Sequence, residues 1–288
     1  MLYKDLKLSA LMFAMAATQI YAPLPVAAQH SGNDKPTAGF MSDLETRIKK
    51  NPQDVNAYCR RGQIYLDGCE WEAAIKDFNA ALKIAPNTGR ALVGRATALA
   101  SLGENAKALV DCNLALKLRD PAVQTEALQE KIMLLREAKR YKECIPLLTE
   151  LLDSKNSGFT LLERYDVLTM RAQTYLFLNQ PELAIADIKQ CTQESRRQHG
   201  RYLILGQAYA MLNKSDKAIE AYSEGIQKSE RDPKRLGHAK HDKTLADLYL
   251  ARAELYRKQK KTALADADVK KARQGQGKMY DLFYEPIK

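Results

Sequence analysis

A chain of 288 residues, 45% hydrophobic and 28% charged with only 14 Gly and 10 Pro, carries enough apolar side chain to bury a core, which excludes compositional disorder. Its formal charge of +10 makes it basic, and its length alone would give one or two globular domains.

At the N-terminus, Lys4 and Lys7 precede an apolar run over residues 8–17, and Val26, Ala27 and Ala28 offer the small residues that a signal peptidase reads. This predicts a signal peptide over 1–28, cleaved after Ala28, and a periplasmic or secreted protein. The alternative is an uncleaved anchor, although Thr18, Gln19, Pro23 and Pro25 interrupt the run before the roughly 20 residues that a spanning helix needs. The five cysteines, Cys59, Cys69, Cys112, Cys144 and Cys191, are odd in number and include no C-x-x-C, so mostly buried free thiols are expected rather than a disulfide framework. Residues 29–54 read as a linker and a short capping helix, with Ser42 and Asp43 at its start and Pro52 beyond its end.

Residues 55–88 then present Tyr58, Gly62, Tyr65, Trp71, Ala74, Phe78, Ala81 and Pro86 at fixed spacing. Gly62 to Ala96, Tyr65 to Leu99, Ala74 to Ala108, Ala172 to Gly206, Tyr175 to Tyr209 and Ala184 to Ala218 are each 34 apart. A poorer copy places Ile132, Leu135, Tyr141, Cys144, Leu148 and Leu151 in the equivalent positions, and a last one holds Ala253, Tyr256, Ala265 and Ala272. About six units therefore start near 55, 89, 125, 165, 199 and 246. Small residues such as Gly62 and Ala74 let two helices approach, large ones such as Tyr65, Trp71 and Phe78 fill the space between them, and each unit buries its apolar face only when stacked.

This pattern closely resembles the tetratricopeptide repeat. The resemblance implies an all-α fold, a right-handed superhelical solenoid of antiparallel helix pairs, with two units over 55–122, a divergent third over 125–158, two more over 165–232 and the sixth over 246–275. Residues 153–160 read as a joint, 228–243 as an exposed basic break in the array, with 233–245 set between the fifth and sixth units as the basic insertion, and 276–288 as a tail with Tyr280, Phe283 and Tyr284, either docked or free.

The resemblance also implies a concave wall built from the first helix of each unit. Carried over position by position, it gives Cys59, Val93, Gln129, Thr169, Leu203 and Leu250 at the fifth place and Gln63, Thr97, Met133, Gln173, Gln207 and Glu254 at the ninth. Leu66, Leu176, Phe177, Ala210, Met211 and Arg257 lie further along. The Lys, Asn and Arg clamp of relatives that hold a carboxylate tail is missing. Apolar side chains mixed with amides fit an extended or helical peptide instead, because an amide both donates and accepts; equally, Gln is simply a good exposed helix residue. The expected partner is a protein or peptide, with no small-molecule substrate.

Residues 228–278 carry fifteen Lys plus Arg against seven acids, a net +8. Lys258, Lys260, Lys261, Lys270, Lys271 and Arg273 are therefore candidates for contacting a lipid surface, a glycan or nucleic acid, the alternative being a solvated end that keeps the array from stacking further. Nucleic acid is the least expected of these. No catalytic or phosphate-loop motif occurs, and His238 and His241 lack further ligands, so neither an enzyme nor a metal or cofactor site is expected.

Overall fold

The computed structural model describes residues 38–153, 161–191, 199–230 and 243–276. Expectations for the signal peptide, His238, His241, most of the basic insertion and the aromatic tail lie outside these residues. Thirteen helices and no strand occur among the described residues, making an all-α repeat fold. They divide into two compact units, residues 38–153 and residues 161–276.

In the first unit, α1 (Ala38–Lys50) precedes the helix pairs α2 (Val55–Asp67) and α3 (Trp71–Ile84), α4 (Gly89–Ser101) and α5 (Asn105–Ala115), and α6 (Pro121–Glu137) and α7 (Tyr141–Asp153). The second unit pairs α8 (Leu161–Phe177) with α9 (Pro181–Gln190), α10 (His199–Met211) with α11 (Ser215–Glu230), and α12 (Lys243–Lys258) with α13 (Thr262–Gln276). The capping helix α1 starts earlier than Ser42, and its fully buried Leu44 shows why it is held. Arg47 donates to Asp54 at 2.8 Å, and Asp54 also caps α2 by accepting from the Ala57 amide. Helix α11 continues to Glu230 with Ser229 buried, and α12 already begins at Lys243, so the stretch expected to be exposed over 228–243 is helical at both ends.

Each first helix ends in the same way. Cys69, Gly103, Lys139, Asn179, Asn213 and Lys260 all have φ between 57° and 77°, in the left-handed region, and each is the fifteenth residue of its unit. The amide after each one reaches back to a carbonyl five residues earlier, as Glu70 does to Tyr65 and Lys261 to Tyr256, both at 2.8 Å. That bond satisfies an orphan carbonyl and turns the chain for the second helix.

Across four of the helix pairs a small residue on the first helix faces a matched partner on the second, whereas the third pair holds two large residues there, Ile132 and Leu148. Gly62 faces Phe78, and Gly206 faces Tyr222 so closely that a Cβ on Gly206 would lie 2.1 Å from the ring. The same two positions hold Ala96 with Cys112 and Ala172 with Ile188, so Ala accompanies a smaller partner. Phe78 also fills the space that a Cβ on Gly94, from the next pair, would occupy. Cys59, Cys112 and Cys144 are buried, whereas Cys191 is half-buried and Cys69 is exposed at its turn; all five are free. Burial pushes the Cys112 thiol up to about 12 and the Cys144 thiol up to about 11, far from a reactive thiolate at neutral pH.

Candidate functional site

In the first unit, the wall formed by α2, α4 and α6 presents an exposed Gln63 beside a half-buried Leu66. The Gln63 amide donates to Asp67 Oδ1 at 2.8 Å, so part of its hydrogen-bonding capacity is used within its own helix. Val93 and Cys59 are buried in the core and present almost no surface to a ligand. Thr97, Gln129 and Met133 remain half-buried along the wall. Thr97 Oγ1 donates to Glu130 Oε2 at 3.2 Å, and burial raises the Glu130 carboxyl above the ordinary range against the opposing effect of that bond. Burial likewise raises Glu126 on the same helix, with Arg90 pulling it down.

In the second unit, α8, α10 and α12 lie side by side. Gln173, Leu176 and Leu203 are buried, and Leu176 and Leu203 join the hydrophobic clusters between helices. Phe177, Gln207, Ala210, Met211 and Leu250 are half-buried and form the accessible part of the wall. At the fifth place Cys59, Val93, Thr169 and Leu203 are buried, Val93 and Leu203 in clusters with residues of the next first helix, whereas Gln129 and Leu250 stay half-buried. Apart from Gln129 and Leu250, the wall residues reachable by a partner lie toward the C-terminal ends of the first helices.

The basic candidates do not form one surface. Lys258, Lys260 and Lys261 are exposed at the turn between α12 and α13, with Lys258 paired to Glu254 at 3.1 Å. Lys270, Lys271 and Arg273 are exposed about 12 Å or more farther along α13, at 1.5 Å per residue. Lys271 Nζ donates to Tyr249 Oη at 3.1 Å and lies 3.5 Å from Glu230, so it ties α13 to the preceding pair. The Tyr249 hydroxyl, followed by the Glu230 charge, holds this ammonium above its ordinary range.

Sequence reasoning missed a ladder of ion pairs. Arg61 with Asp77, Arg95 with Asp111, Arg171 with Asp187 and Arg252 with Asp268 each form two hydrogen bonds of 2.7–2.8 Å, always 16 residues apart, around an almost fully buried carboxylate. The cation at this place also staples adjacent pairs: Arg95 donates to Asn79, Lys131 to Asn113 and Arg252 to Ser223, at 2.6–2.8 Å. The recurrent spacing of 16 was the available signal. Among the described residues no group of three or more His, Cys, Asp and Glu side chains is placed to hold a metal ion, and no helix is long and apolar enough to cross a membrane.

Residues 55–88 and 165–197 each match a family model of the tetratricopeptide repeat. No curated protein sequence matches the chain. Among solved structures, the C-terminal part of a TPR repeat-containing protein from Cytophaga hutchinsonii is similar at 16% identity and a TM-score of 0.64, over 82% of this chain and 88% of that one. YrrB, described as a TPR protein with an unusual peptide-binding site, is similar at 14% identity and a TM-score of 0.56, over 69% of this chain and 98% of that one. A chain of the APC/C hetero-tetramer Cut9–Hcn1 gives 17% identity and a TM-score of 0.54; the match covers 83% of this chain but only 43% of that longer one. The chain thus carries two tetratricopeptide repeats in an all-α repeat fold, the architecture of a protein–protein interaction scaffold.

Proposed function

We propose that the protein is a non-catalytic scaffold, acting outside the cytoplasm, that holds a peptide segment of a partner protein against the wall formed by α8, α10 and α12. The observation that carries this reading is the half-buried Phe177 and Met211, each the thirteenth residue of its unit on two successive first helices, with the Gln207 amide one turn before Met211 and the half-buried Leu250 nearer the start of the third. Neutral hydrogen bonds contribute only about 0.5–1.5 kcal/mol each. Apolar contacts with Phe177, Met211 and Leu250 therefore supply most of the affinity, while Gln207 sets the direction of the peptide backbone. The periplasmic or secreted location is supported by the N-terminal sequence pattern alone.

The test places a photo-crosslinking side chain at Met211 and, in a separate full-length chain, at the exposed Glu220 on the second helix of the same pair. A partner adduct expected from position 211 and not from 220, weakened by Leu250→Ser, supports the wall. Equal adducts from both positions would overturn it.

A further inference from the structure

The turns joining first to second helices in the second unit form an edge just beyond the C-terminal ends of the wall helices. Leu183 and Leu264 are large apolar residues left 46% and 49% exposed. Each is the third residue of its second helix, in α9 and α13, and the intervening pair has the exposed Lys217 at this place in α11. Adjacent turns on this edge are physically joined, because Gln259 Nε2, in the turn after α12, donates to Asp216 Oδ1 at the start of α11, at 3.1 Å. Lys214, Lys217, Lys260 and Lys261 project from the same turns with Arg257 and Lys258, and all six are exposed. Against them stand Glu182, Asp216 and Glu254, leaving an excess of three positive charges.

We propose that this edge rests on an anionic lipid surface, with Leu183 and Leu264 entering the headgroup boundary and the flanking lysines meeting lipid phosphates. Each feature is unremarkable alone, but a lipid surface uses both. Cations concentrate at a negative leaflet, and apolar side chains beside them gain by leaving water. A nucleic acid backbone would reward the lysines and leave the leucines in water, and stacking on bases calls for aromatic side chains, whereas this edge presents leucine. A spanning segment is not required, since the binding is peripheral.

The full chain is sedimented with vesicles of phosphatidylcholine alone and of phosphatidylcholine containing phosphatidylglycerol. Because the apolar run at residues 8–17 is common to every variant, the comparison between variants isolates the edge. The expected result is binding that requires phosphatidylglycerol and falls with added salt. Lys260→Glu with Lys261→Glu should weaken it by more than about tenfold, and Leu183→Ser with Leu264→Ser should weaken it several-fold while leaving the helical circular dichroism unchanged. Absence of binding, equal binding to uncharged vesicles, or unchanged binding of either double variant would overturn the proposal. Loss with the lysine pair but not with the leucine pair would point instead to an acidic protein partner and overturn it as well. A crosslink at Met211 reports on a bound peptide and vesicle sedimentation reports on a lipid surface, so the two ideas fail separately.

Discussion

Arg61 on α2 grips Asp77 on α3 through two hydrogen bonds of 2.7 Å, and the Asp77 side chain is only 4% exposed. Removing the guanidinium strands a buried carboxylate. Arg61→Met should therefore destabilise the first unit by about 3 kcal/mol, whereas Arg61→Met with Asp77→Leu should recover much of the loss, because an apolar pair avoids the desolvation of two charges. Urea unfolding followed by Trp71 fluorescence, from the only tryptophan in the chain, reads this out. If the double variant is as unstable as the single one, the pair contributes through packing of its stems instead of charge.

The left-handed residues give a paired test. Gly103 has φ +77° and nothing within 4 Å of the position a Cβ would take, so Gly103→Ala should cost about 1 kcal/mol through the backbone alone. Lys139 occupies the same place with φ 57°, and Lys139→Gly should stabilise by about 0.5–1 kcal/mol, part of the gain being offset by the greater freedom of glycine in the unfolded chain. Thermal midpoints moving in opposite directions would confirm the shared turn; a fall in both would show that the Lys139 side chain is holding its turn.

Glu130 makes stability depend on pH. Burial, the dominant cause, raises its carboxyl pKa in the folded state above the ordinary 4.5, so the folded chain binds a proton more tightly than the unfolded chain. Stability from this group is present below the unfolded pKa and falls as pH rises toward the folded value. Glu130→Gln should raise the melting temperature at pH 7, and the difference should shrink on acidification below pH 4.5. A difference that does not change with pH would place the effect in the Thr97 contact rather than in ionisation.

The repeat was legible because its large and small core residues recur at a fixed period, and a period of 34 survives substitution of any one residue. The site was less legible. Val93, Leu203 and Gln173 occupy places that the resemblance assigns to an accessible wall, yet all three are buried, Val93 in a cluster with Val123 and Ala127 and Leu203 in one with Ala246 and Tyr249 of the next first helix, and lateral packing leaves no mark on the period within one helix. The ladder of Arg61, Arg95, Arg171 and Arg252 escaped for a different reason: charged residues on a helix read as solvated, and only their common separation from Asp77, Asp111, Asp187 and Asp268 betrays a buried pair.

The close fit of Gly206 against Tyr222 supports the sharpest prediction. A Cβ on Gly206 would stand 2.1 Å from the ring of Tyr222, which is buried in one cluster with Leu203 and Leu248, so the ring has little freedom to retreat. Gly206→Ala should destabilise the second unit by about 1–3 kcal/mol through overpacking. In α8 and α9 the equivalent positions hold Ala172 and Ile188, both buried, which is a ready solution to the same space. Gly206→Ala combined with Tyr222→Ile should accordingly be more stable than Gly206→Ala alone, even though Tyr222→Ile by itself opens a cavity beside the bare glycine and loses stability. A double-mutant cycle on thermal unfolding measures the coupling. A coupling near zero would mean that the backbone at Gly206 shifts to admit the methyl group, and that the pairing of glycine with a ring is not what sets the spacing of these helices.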